Sequence, residues 1–230
     1  MRVLVIGYGS IGHRHFKILK KLGIEVAVMS RRVIPKNILV KNIDEINIWN
    51  PDKIIISTET SHHLADLRML QKLKFKGEVL VEKPIFANIK SSFTYSFKIY
   101  VAYHLRFHSL IKELKKVLKN KKILTVHCYV GQHLSLWRNS DTKVKNYSYY
   151  KNQGGGVLRD LSHELDLMQY LFGKIKQMTA SGGRFGNITI DSDDTFGFLL
   201  KTKNCPLITL NMNMLDLMPK REIYILTDKL

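Results

Sequence analysis

Gly7-Tyr8-Gly9-Ser10-Ile11-Gly12 sets three glycines in a turn between an apolar run and an amphipathic one. That context turns a weak pattern into a useful one. Gly7 allows the tight turn, Gly9 lets backbone approach a pyrophosphate, and Gly12 lets helix and strand pack closely. Phosphates would sit over Ser10 and Ile11, where unpaired N–H groups and the helix dipole favour negative charge. A tight turn without ligand is the plainer alternative. A second apolar run ends in Met29-Ser30-Arg31-Arg32, where an NAD-binding protein usually carries an acid for the ribose 2′-hydroxyl. Two guanidinium groups stand there instead. Such groups grip a 2′-phosphate, so NADP is the expected cofactor and NAD the alternative.

The elements that must position these residues alternate through the first hundred positions. Strands are expected over 2–6, 25–29, 53–57 and 78–81, with a short one over 38–40. Helices are expected over 11–22, 43–49 and 62–73. This alternation predicts a parallel sheet. Residues 85–100 carry no clear pattern. Beyond about residue 120, strands are expected over 123–130, 177–184, 195–202, 207–214 and 222–226, interrupted by one long helix over 157–172. Strands in succession suggest an antiparallel sheet with a helix on one face. The fold class is therefore α/β plus α+β, with a dinucleotide-binding domain over 1–102 and a shortened open-sheet domain over 103–230.

The 230 residues are 45% hydrophobic, which suits a soluble globular chain. No apolar run approaches the roughly 20 residues of a membrane span. Two cysteines, Cys128 and Cys205, fit neither a disulfide framework nor a metal motif, and a cytoplasmic setting is expected. The net charge of +18 includes a lysine cluster over 112–122. Leu110, Ile111, Leu114, Val117 and Leu118 recur there at helical spacing, so the lysines read as the solvated face of an amphipathic helix. Neither nucleic acid nor membrane is an expected partner.

Three further segments carry chemistry: Val81-Glu82-Lys83-Pro84, Tyr103-His104-Leu105-Arg106-Phe107-His108, and Gly154-Gly155-Gly156-Val157-Leu158-Arg159-Asp160-Leu161-Ser162-His163-Glu164-Leu165-Asp166. With the glycine turn, their ordered recurrence resembles the glucose-fructose oxidoreductase, inositol dehydrogenase and MocA family. The resemblance runs from residue 1 to about 228. It implies a Rossmann domain followed by a mostly antiparallel sheet, with substrate held beside a nicotinamide. It also implies that Lys83 contacts the reacting hydroxyl, that His163 is the general acid/base and that an aspartate assists. Thr58, His63, Glu82 and Lys83 would line the cofactor. Lys83, Tyr103, Arg106, His163 and Asp166 would meet a sugar, polyol or nucleotide-sugar substrate. The chemistry agrees: oxidising an alcohol needs a base with a pKa near working pH, and an ammonium group steadies the developing oxyanion.

Departures from the family pattern are specific. Arg159 occupies the usual aspartate position four before the histidine, and Asp160 stands three before it. Both spacings share one helix face, as does Asp166 three residues after. Thr58-Glu59 replaces the common Thr-Pro. Only 18 residues separate Pro84 from Tyr103, too few for the usual helix plus strand. A relative that binds cofactor without catalysis, as sensor or assembly partner, is the alternative reading. His163-Glu164 begins a zinc-protease motif, but Leu167 stands where the second histidine belongs, and no metal site is expected. Gly131-Gln132 through Trp137-Arg138 resembles a branch linked to surface-polysaccharide pathways. A homodimer or homotetramer is expected, since the family's open sheet face commonly meets its partner.

Overall fold

Val3, Leu4, Val5 and Ile6 are almost wholly buried, as are Ile54 and Ile56, and such continuous apolar runs belong to strands covered on both faces. A computed structural model describes residues 1–32, 34, 39–88, 94–137 and 147–229. The chain forms two compact units, Met1–Ala102 and Tyr103–Leu230.

The first unit runs β1 (Arg2–Ile6), α1 (Ser10–Lys21), β2 (Glu25–Met29), α2 (Ile43–Trp49), β3 (Lys53–Ile56), α3 (His63–Lys72), β4 (Glu78–Val81) and β5 (Lys98–Val101). Its five strands are parallel in the order β2-β1-β3-β4-β5. Leu39 adds a parallel bridge to Val28, a remnant of the strand expected over 38–40; Ile38 lies outside the described residues. Counting that remnant, the order is the doubly wound one that binds dinucleotides. β5 supplies the strand that 85–100 left untyped, while 89–93 lie outside the described residues. Thr60–His62 form a 3-10 turn before α3, which therefore begins one residue later than expected.

The second unit comprises α4 (Ser109–Val117), β6 (Ile123–Gly131), α5 (Val157–Asp160), α6 (Ser162–Phe172), β7 (Ile175–Gly183), β8 (Thr195–Thr202), β9 (Ile208–Asn213) and β10 (Lys220–Thr227). Its sheet runs β10-β6-β9-β8-β7, antiparallel except for the parallel β6–β9 pair. Val157, Leu167, Met168 and Phe172 pack with Val126, Cys128, Leu200, Ile208 and Leu210 into one core. On the exposed side lie Leu199, Tyr224 and Leu226.

The long helix expected over 157–172 is two helices. Leu161 leaves helical geometry (φ −98°, ψ 19°) between α5 and α6. A contact from far along the chain anchors the first of them. The Asp193 carbonyl accepts from Val157 N–H at 2.9 Å and its carboxylate from Leu158 N–H at 2.8 Å, which pins α5 to the β7–β8 connection.

Candidate active site

Each glycine of the turn is there for a different reason. A Cβ on Gly7, whose φ is +94°, would lie 2.7 Å from backbone of Ser57 and Thr58. A Cβ on Gly12 would lie 2.1 Å from the Gly7 carbonyl oxygen. Ser57 reinforces this contact, donating its hydroxyl to the carbonyls of Ile6 (3.1 Å) and Gly7 (2.9 Å). Gly9 differs. Its Cβ would meet nothing within 4 Å, and its φ of −75° is open to any residue. Among the described residues nothing requires glycine there, whereas an external group pressed against the backbone would. Gly9 caps α1 without a side-chain hydrogen bond, the first turn carries no acid, and Ser10 and Ile11 are exposed. The N–H groups of that turn are therefore open to an anion, and the residues present fit a dinucleotide pyrophosphate. After β2, the Ser30 hydroxyl accepts from Arg32 N–H (3.0 Å), and Arg31 and Arg32 are exposed.

The loop after β4 carries Lys83 and is held on both sides. His15 of α1 meets Glu82 at 2.7 Å. His63, at the start of α3, sets Nδ1 3.0 Å from the Pro84 carbonyl and Nε2 3.2 Å from that of Thr58. His63 is 1% exposed with both nitrogens against backbone carbonyls, so it braces the loop that carries Lys83. Burial lowers its pKa below the ordinary histidine value, although the two carbonyls favour the charged form. Thr58 donates its hydroxyl to Asp66 at 2.6 Å, and burial raises that carboxyl's pKa. Lys83 itself is half-buried.

In the second unit the Tyr103 segment meets α6. The His163 ring is 8% exposed, with its centroid 5.7 Å from Tyr103 and 4.6 Å from His104, both edge-on. One turn later Asp166 accepts from Arg106 through both carboxylate oxygens, the Nε contact measuring 2.7 Å. That bond raises the arginine's pKa, and burial raises that of the Tyr103 hydroxyl. The guanidinium also lies 5.9 Å from Tyr103 and 5.5 Å from the Tyr170 ring. Tyr103, Arg106, His163 and Asp166 are thus brought together. Asp166 is 7% exposed and holds Arg106 in place.

Asp160 departs from the expected common helix face, because it ends α5 while His163 belongs to α6. It is buried and accepts the Tyr147 hydroxyl at 2.7 Å. Sequence reasoning missed His15, Asp66, His104 and Tyr147 as members of these sites. His15 had a signal, one turn after Gly12 on the face that meets the Glu-Lys-Pro loop; Tyr147 had none. His108 caps α4, accepting from Leu110 N–H at 3.3 Å.

Solved structures share this architecture. A WlbA dehydrogenase from Bordetella pertussis, in complex with NADH and UDP-GlcNAcA, aligns with a TM-score of 0.80 at 17% identity, over 99% of this chain and 76% of its own. An oxidoreductase from Thermotoga maritima aligns at 0.82 and 15%, over 100% and 76%. An oxidoreductase from Agrobacterium radiobacter, in complex with NAD+, L-tartaric acid and magnesium, aligns at 0.78 and 17%, over 99% and 71%. At such identities the likeness is one of fold. No curated protein matches the chain. The family model for the GFO/IDH/MocA C-terminal domain matches residues 111–229, more than half the chain, and the protein belongs to that family.

Proposed function

We propose that this protein is an oxidoreductase that moves a hydride between a nicotinamide dinucleotide and a hydroxyl-bearing carbon of a sugar-like substrate. The observation that carries the reading is Gly9, where an added Cβ would meet nothing among the described residues, so that the backbone of the turn is open to an external group. The first turn of α1 would hold the pyrophosphate, and Arg31 and Arg32 would favour NADP over NAD. NADH and NAD+ accompany the WlbA and Agrobacterium structures, which supports a nicotinamide cofactor of this class. A bound nicotinamide would supply the hydride chemistry. In the second unit His163 is the group that would take a hydroxyl proton, and in the first unit the Lys83 ammonium is the group that would favour a developing oxyanion. Tyr103 and Arg106 orient the substrate, while Asp160 supports the start of α6. UDP-GlcNAcA in the WlbA complex makes nucleotide sugars the first substrates to try. The exposed face bearing Leu199, Tyr224 and Leu226 suits a homodimer or homotetramer, and two free buried thiols suit the cytoplasm.

Purified protein and NADP+ are incubated with sugars, polyols and nucleotide sugars while reduced cofactor is followed by absorbance. Turnover of one class is expected. Tight cofactor binding with no turnover across the panel replaces this reading with a non-catalytic sensor.

A further inference from the structure

The lysines of α4 and the turn after it were expected to form a solvated helix face, and the structure adds a feature that this leaves unexplained. Ile111 and Leu118 pack against the core, but Leu110 is 71% and Val117 51% exposed. Phe107, just ahead of the helix, is 72% exposed. On the opposite flank Lys112, Lys115, Lys116, Lys119, Lys121 and Lys122 line a groove of about 900 Å³. The basic and apolar sets touch only at the start of the helix, where Lys112 Nζ lies 5.7 Å from the Phe107 ring centroid. Lys115 Nζ lies 3.5 Å from that of Tyr170. The single acid of α4, Glu113, meets Lys116 at 3.3 Å. Lysines in a last turn complement the helix dipole. That accounts for Lys115 and Lys116, not for Lys112, Lys121, Lys122 or the bare apolar residues.

A lysine groove alone would take any polyanion. Exposed Phe, Leu and Val side chains narrow the choice, because they gain nothing along a nucleic-acid backbone but gain burial at the boundary of a lipid layer. Lysine stems can lie along apolar surface while their charges reach headgroups. We propose that this face of the second unit docks on an anionic lipid surface, with α4 lying in the interface plane. Among the described residues no helix is long and apolar enough to cross a membrane, so the association is peripheral. It is independent of the hydride-transfer reading.

The whole protein is sedimented with phosphatidylcholine vesicles with and without phosphatidylglycerol. Binding is expected only with the anionic lipid, and it should weaken as salt rises. Each Lys→Gln change at 112, 116 or 121 should lower partitioning about five-fold. Leu110→Asn combined with Val117→Asn should lower it about ten-fold or more, with unchanged circular dichroism and thermal midpoint as the fold control. Absence of binding to the anionic vesicles, or equal binding to neutral ones, overturns the proposal. So does an unchanged Leu110/Val117 double variant together with displacement of vesicles by a single-stranded oligonucleotide, which would make the groove a nucleic-acid site.

Discussion

Replacing Gly9 and replacing Gly12 should have opposite consequences. Gly12→Ala drives a methyl group into the Gly7 carbonyl, so the turn must open and the thermal midpoint should fall. Gly9→Val points into open space, so the midpoint should hold while titration calorimetry shows neither NADPH nor NADH binding. Arg31→Ala should cost about 1.5–3 kcal/mol of NADPH affinity, the scale of a charge-assisted contact, and leave NADH nearly unchanged. Lys83→Ala and His163→Ala should each lower kcat by about 10²-fold or more with cofactor affinity intact, measured by steady-state turnover and calorimetry. The glycine turn was legible because strand, turn and helix are neighbours in sequence. The Arg106–Asp166 clamp was not, because its partners stand 60 residues apart and each alone reads as a substrate contact.

At the scale of elements, α3 and the β4 loop are joined by a buried titrating ring. His63 is held below its unfolded pKa of about 6.5, so the unfolded chain binds more protons than the native one as pH falls through that value. Stability tied to His63 is therefore present above about pH 6.5 and declines as pH drops toward the lower native pKa. Denaturant midpoints at pH 7.5 and 5.5 should separate more for the wild type than for His63→Gln; equal separations would assign the acid sensitivity elsewhere. In the second unit, Glu164 of α6 is wholly buried and paired with Arg221 of β10 at 2.8 Å. The arginine is partly exposed, so Arg221→Ala should destabilise by about 1–3 kcal/mol, less than a fully buried pair would lose. The sequence displayed α6 through its apolar spacing. It concealed the break at Leu161, because a leucine satisfies that spacing and Asp193, which anchors the start of α5, lies far along the chain.

For the whole molecule, the parallel first sheet and the mostly antiparallel second one were readable from the change of pattern near residue 120, while the parallel β6–β9 pair was not. Strand order in the second sheet was not, since β6 sits between strands drawn from much later in the chain. Sedimentation velocity at micromolar concentration should show a dimer or tetramer, and Tyr224→Lys on the exposed sheet face should shift it toward monomer. A wild-type monomer would remove that face from the assembly reading. Burial pushes the Cys128 thiol up to about 12, so native protein at pH 8 should resist alkylation there. The placement of β6 has a further consequence for synthesis. The first unit pairs strands as they emerge and can close its sheet while the ribosome is still at work. β6 must wait for β9, reached through contacts such as His127 to Thr209 across 82 positions, and then for β10. Long-range pairing is slow and leaves apolar strand exposed in the interval. A nascent chain stalled before β9 should therefore carry a protease-resistant first unit and a second unit that is still open to digestion.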